Sequence, residues 1–294
     1  VDVDVIGDER ELHIQSSLTR TGRSKRFLNG SAISTRRPAG LNTAVTVFTP
    51  DDLELSKGPA EMRRNYLDDI AGFLVPRVDA LQSDYDRVVR HRNAVLKSGG
   101  DSVSEEIFDT QLAMLGAEVT RARLRLVELL NPMITDAYQR ISGLPDEATL
   151  EYRSDWIAEG AFTVEDLASS LTEAIHAKRT QEHQRGMTLV GPHRDDVAGW
   201  IGSAAVRHEA SQGEQRCFAL ALRLASHQFF AQQMGSEPIL LLDDVFSELD
   251  AQRSERLLAE LASPQTLVTR AGNPSTEVPY DAKLLVEDGV VRWA

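Results

Sequence analysis

Asp243 and Asp244 are the residues whose type and place best suit chemistry. They end the run Pro238-Ile239-Leu240-Leu241-Leu242 and are followed by Val245-Phe246-Ser247-Glu248-Leu249-Asp250. Mg²⁺ favours carboxylates and keeps several waters, so one acid at such a place can support the ion, usually through water. Its neighbour can orient an attacking water. Phosphoryl transfer asks for positioning and charge stabilisation more than covalent chemistry, so one such acid suffices. The plainer account is a strand entering a turn, because aspartate caps helices and favours turns.

Upstream lies Ser211-Gln212-Gly213-Glu214-Gln215, leading into Arg216-Cys217-Phe218-Ala219-Leu220. Ser211 with Glu214 three places on is a capping box, which starts a helix. That is a complete structural account of the segment. The same helix start also suits an anion: Gly213 leaves room at the backbone, and free amides plus the helix dipole attract negative charge. Each segment alone is weak. Their order, with Ser247-Glu248-Leu249-Asp250 after them, is a stronger signal than either.

Both segments need elements to hold them. The apolar run before Asp243 reads as a parallel strand buried on both faces. Its carboxyl end is where open α/β sheets place ligands. Residues 1–49 read as strands and turns, starting from the alternation Val1, Val3, Val5, with Glu11–Gln15 alternating and Asn29-Gly30 as a hairpin signal. Residues 59–97 read as one long helix containing Pro76, a place for a kink. A Gly-rich break follows. Then Phe108, Leu112, Leu115, Val119, Ala122, Leu126, Leu129 and Met133 repeat at heptad spacing, which predicts an antiparallel helical hairpin. Arg121, Arg123 and Arg125 could meet phosphates, with a solvated face of that hairpin as the plainer reading. Residues 148–152 suggest a strand, and Thr163 caps a helix running to about Arg185. A helix spans Ala251 to Leu261, and a closing hairpin turns at Asp288-Gly289.

The ordered segments resemble the signature motif, Walker B strand and D-loop of ABC-type ATPases. Leu189-Val190-Gly191-Pro192-His193-Arg194-Asp195-Asp196, Val47-Phe48-Thr49-Pro50-Asp51-Asp52-Leu53 and Gly58-Pro59-Ala60-Glu61-Met62-Arg63-Arg64 are similar to the RecF family of DNA replication and repair proteins. The resemblance covers most of the chain. It implies an α/β fold: an ABC-type, P-loop NTPase-like ATPase lobe with an inserted α-helical coiled-coil arm. Residues 1–57 would form the β-rich first part of the lobe, 58–186 the arm, and 187–294 the remainder. It implies Asp243 as the Mg²⁺ ligand and Asp244 as the catalytic base. It implies Ser211, Gln212, Gly213, Glu214 and Gln215 as contacts to ATP bound by a second copy, Ser247 and Asp250 as a D-loop coupling the two sites, and Thr269 at the switch position. It further implies an ATP-dependent homodimer on single- and double-stranded DNA at gaps, helping to load recombinase with RecO- and RecR-type proteins. A place in the SOS response and in the cytoplasm goes with it.

The chain departs from that pattern in its phosphate loop. The Gly-x-x-x-x-Gly-Lys-Ser/Thr cradle needs a lysine after a glycine, and none of the five lysines follows one. The expectation is a loop upstream of Val1 and no normal ATP binding by the chain as it stands. Thr269 replaces the usual switch histidine, and no glutamine precedes Val47 to act as a Q-loop ligand.

Composition bounds the rest. The 294 residues, 41% hydrophobic, can bury a sizeable core in one large or two modest domains. A net charge of −13 argues against a simple basic nucleic-acid module, since phosphate neutralisation dominates duplex affinity. A local groove remains open to DNA. Arg23, Lys25 and Arg26 are the candidates, with a solvated hairpin tip as the plainer reading. Cys217 stands alone, so no intrachain disulfide forms, and it reads as a small residue packed on a helix. No run of about 18 apolar residues is present to span a membrane. Three other functions compete: an ABC transporter ATPase, an SMC- or Rad50-like chromosome protein, and a non-catalytic DNA scaffold.

Overall fold

The computed structural model describes residues 2–6, 11–18, 24–33, 44–74, 76–99, 102–160, 163–260, 265–271, 280–287 and 290–294. Strands β1 (Asp2–Ile6), β2 (Glu11–Leu18), β3 (Ser24–Leu28) and β4 (Ser31–Ile33) form an antiparallel sheet in that order. Asn29 and Gly30 turn β3 into β4 with φ of 49° and 78°, the left-handed pair that the Asn-Gly signal demands. Val1, Arg23, Asp288 and Gly289 lie outside the described residues.

β5 (Val45–Phe48) runs through a 3-10 turn (Pro50–Leu53) into the short α1 (Glu54–Lys57). Next come α2 (Ala60–Leu74) and α3 (Pro76–Ser98). α2 and α3 lie where the sequence predicts one long helix, and residue 75 between them lies outside the described residues.

α4 (Ser102–Ser142) is 41 residues long, about 60 Å at 1.5 Å per residue. β6 (Ala148–Arg153), α5 (Val164–Arg185), β7 (Asp196–Ile201) and β8 (Ala204–Ala205) follow. β6, β7 and β8 pair antiparallel, which ties residues before α5 to residues after it. The Thr163 capping box and a left-handed Gly186, φ 63°, bound α5 where the sequence placed its ends. α6 (Gln212–Met234), β9 (Ile239–Asp243), a second 3-10 turn (Val245–Glu248), α7 (Ala251–Glu260), β10 (Thr266–Thr269), β11 (Leu284–Glu287) and β12 (Val290–Trp293) complete the order.

Two apolar cores share α4. Leu126, Leu130, Ile134 and Tyr138 in its second half pack with α6, α2 and the sheets. Leu112, Ala117 and Val119 in its first half pack with Tyr85 of α3 and with Leu167, Leu171 and Ile175 of α5. α5 thus joins the expected two-helix hairpin as a third helix. Gly116 makes room for it: a Cβ there would stand 2.7 Å from Leu171 Cδ2. Arg123 is not on a solvated face. It is buried, paired through two nitrogens with Asp68 at 2.8 Å each, and donates to Pro192 O at 2.7 Å. Its charge satisfies a fixed carboxylate, as a buried arginine must.

β9 is the centre of a parallel sheet in the order β10-β9-β5, as the apolar run implied. Only one face of that sheet is fully covered. Phe48, Leu240 and Leu242 face the core beside α6, whereas Val45, Val47 and Leu267 are 48%, 40% and 49% exposed on the other face. The expectation of burial on both faces does not hold for the described residues, because no described element packs there. No described helix is long and apolar enough to cross a membrane.

Candidate functional site

Asp243 is the last residue of β9, opposite Thr269 at the end of β10 in the parallel register. The Thr269 hydroxyl donates to Asp243 Oδ1. The other Asp243 oxygen has no protein partner among the described residues. Asp244 follows in a left-handed conformation, φ 51° and ψ 25°. Short polar side chains visit that region more readily than others, but it still costs about 1 kcal/mol. Three bonds hold the turn. The Asp244 N–H donates to Thr269 O at 3.1 Å and reaches Thr269 Oγ1 at 3.3 Å, while Ser247 Oγ donates to Asp244 O at 2.8 Å. Asp244 Oδ1 is buried without a hydrogen-bond partner among the described residues. A buried, unpartnered carboxylate oxygen is costly unless something arrives to meet it.

Asp243, Asp244, Ser247 and Thr269 thus form one group. Thr269 fastens both acids rather than standing free. Three or more metal-ligating side chains do not cluster among the described residues. One strand-end acid with an open oxygen fits Mg²⁺, which needs few protein ligands when phosphate oxygens and water supply the others.

The start of α6 is a second group. Ser211 N–H donates to Glu214 Oε2 at 2.7 Å, and Glu214 N–H donates to Ser211 Oγ at 3.3 Å. These bonds hold the Glu214 carboxyl below its ordinary range. Gln215 reaches back to Val206 O at 3.0 Å, and its own carbonyl accepts from Ser56 Oγ at 2.7 Å. Ser211 and Gln212 face outward, and the helix behind them is buried from Cys217 to Leu222. Gly213 lies against Arg253 of α7, which pairs with Asp250. Asp250 also caps α7, accepting the Arg253 N–H at 2.8 Å. Lys25 and Arg26 are exposed on β3.

Sequence reasoning left His193 and Arg194 without a role. They belong to a polar knot at Gly191–Asp196, where α2, α3, α4, β6 and β7 meet. Tyr85 OH lies 2.6 Å from His193 Nδ1, and His193 Nε2 is buried without a partner among the described residues. Arg63 pairs with Asp196 at 2.8 Å, Arg64 donates to Asp195 O at 2.7 Å, and Arg194 donates to Thr188 O at 3.0 Å. The Asp195 carboxylate accepts from Tyr152 OH at 2.7 Å and Trp156 Nε1 at 3.0 Å. Burial pushes the Asp195 carboxyl up to about 6 and the His193 imidazole down to about 4. Adjacent acids at 195 and 196 were the only local sign of this knot.

No family model matches the chain. A DNA replication and repair protein RecF from Arthrobacter sp. (strain FB24) is 38% identical, over 89% of this chain and 73% of that protein. The fold superposes on a solved recombination mediator protein RecF with ATP, of the RecFOR pathway, with a TM-score of 0.85 and 26% identity over 97% of this chain and 76% of that one. A second solved recombination mediator protein RecF, with ATPrS and of the same pathway, gives a TM-score of 0.82 at 25% identity, covering 97% of this chain and 77% of that one.

Proposed function

The chain belongs to the RecF family, and from that membership we propose that it serves DNA replication and repair as an ATP-gated, DNA-binding ATPase subunit. The observation that carries the proposal is the turn at the end of β9. There a strand-end acid with an open oxygen precedes a strained acid whose buried Oδ1 lacks a partner. Asp243 would support Mg²⁺, and Asp244 would orient water. An outward-facing α6 start offers Ser211 and Gly213 to the γ-phosphate of a nucleotide held by a second copy. The Ser247–Asp250 turn would couple the two sites. Residues 58–186 would act as the arm and the flanking segments as the lobe. DNA gaps and RecO- and RecR-type partners follow from the family alone.

The residues present fit only half of an ATP site. They supply the acids and the surface that closes from across, and the sequence contains no Gly-Lys phosphate cradle. The chain itself should therefore show no measurable ATP affinity by equilibrium titration. Extended at its amino terminus by a segment carrying Gly-x-x-x-x-Gly-Lys-Ser/Thr, it should pair with ATP and hydrolyse it. In that longer form Asp244→Asn should keep ATP-driven pairing and slow turnover by about 100-fold or more. Full turnover by the variant would remove Asp244 from its role, and tight ATP binding by the unextended chain would overturn the division of the site.

A further inference from the structure

Arg253 belongs to no motif, yet it touches two. It is the third residue of α7. Its backbone N–H engages Asp250 Oδ1 at 2.8 Å, and its Nη1 lies 3.2 Å from Asp250 Oδ2, so both oxygens of that carboxylate are committed. The same guanidinium stands over Gly213. A Cβ at that position would lie 2.6 Å from Nη1, 3.3 Å from Cζ and 3.4 Å from Nη2. A planar, delocalised cation can lie flat on a backbone only where no side chain intervenes. Gly213 is therefore required by its own subunit as well as by any arriving phosphate. α7 itself is anchored. Arg256 donates to Ser142 O at 2.5 Å, and Arg140 of α4 pairs with Glu260 at 3.1 Å.

We infer that Arg253 is a positioning residue that locks the Asp250 turn to the Gly213 helix start, so that the two surfaces facing a partner's nucleotide move as one body. The nucleotide part of this statement rests on the function proposed above; the lock does not. Asp250 can cap α7 without the guanidinium, but it then loses the link to α6 that this arginine makes. The start of α6 loses the cover over Gly213.

Hydrogen exchange on the chain tests the lock without nucleotide. Arg253→Ala should speed exchange about fivefold in both residues 209–218 and residues 245–255, because both segments lose one shared contact. Arg253→Lys should recover part of that protection through its charge. Adding Asp250→Asn to Arg253→Ala should change residues 209–218 no further, since one contact cannot be lost twice. Faster exchange confined to residues 250–255 would overturn the inference and leave only a helix cap. Should Arg253→Ala fail to fold, Gly213→Ala gives the reciprocal reading: its Cβ displaces the guanidinium, and residues 245–255 should exchange faster. In the P-loop-extended form, Arg253→Ala should lower kcat about tenfold or more with KM for ATP unchanged, because misplacement costs turnover rather than binding in cis. An extended wild type that hydrolyses nothing would sink the proposed function while leaving the exchange result intact.

Discussion

His193 and Asp195 stand two residues apart and respond oppositely to acid. Asp195 has a folded pKa of about 6, above its ordinary 3.8, so its contribution to stability is full below the unfolded value and is lost as pH rises through about 6. His193 has a folded pKa of about 4, below its ordinary 6.5, so its contribution is full at neutral pH and is lost as pH falls toward about 4. Between about pH 4 and 6 the two slopes oppose each other, each at most about 1.4 kcal/mol per pH unit. Asp195→Asn removes the compensating slope. Thermal melts of that variant from pH 6.5 to 4 should fall more steeply than those of the wild type. Parallel curves would mean that the two groups do not share the knot's energetics.

At the scale of elements, α3, α4 and α5 are joined by charge as well as by apolar packing. Arg92 is 2% exposed and donates to Asp109 and to Glu182 at 2.6 Å each, and to Thr188 at 3.0 Å. Arg92→Met should cost about 3–5 kcal/mol in chemical denaturation, because it strands the buried Glu182 carboxylate and leaves Asp109 with Arg179 as its one arginine partner among the described residues. Arg92→Met with Asp109→Leu and Glu182→Met should regain most of that loss. A single variant as stable as the wild type would show that the carboxylates reach water. The sequence made some elements plain because their signals are local. Examples are the Thr163 and Ser211 boxes, the Asn29-Gly30 turn and the apolar run into Asp243. Arg123 and Arg253 were hidden because ion pairs between distant elements leave no mark in spacing. The open face of β9 was hidden because a strand's own residues do not say what packs on them.

At the scale of the molecule, that open face is a liability. Val45, Val47 and Leu267 form an apolar strip on a three-stranded sheet whose edge, β10, pairs on one side only among the described residues. Exposed strand edges with apolar faces template association. Sedimentation velocity should show concentration-dependent self-association of the chain, and Val45→Thr, Val47→Thr and Leu267→Thr together should reduce it. Equal association by the triple variant would place the contact elsewhere.

α4 has a different consequence. One uninterrupted helix supplies residues to both apolar interiors, so neither can melt while the other stays intact. Heating should therefore give a single calorimetric peak rather than two, with matching van't Hoff and calorimetric enthalpies.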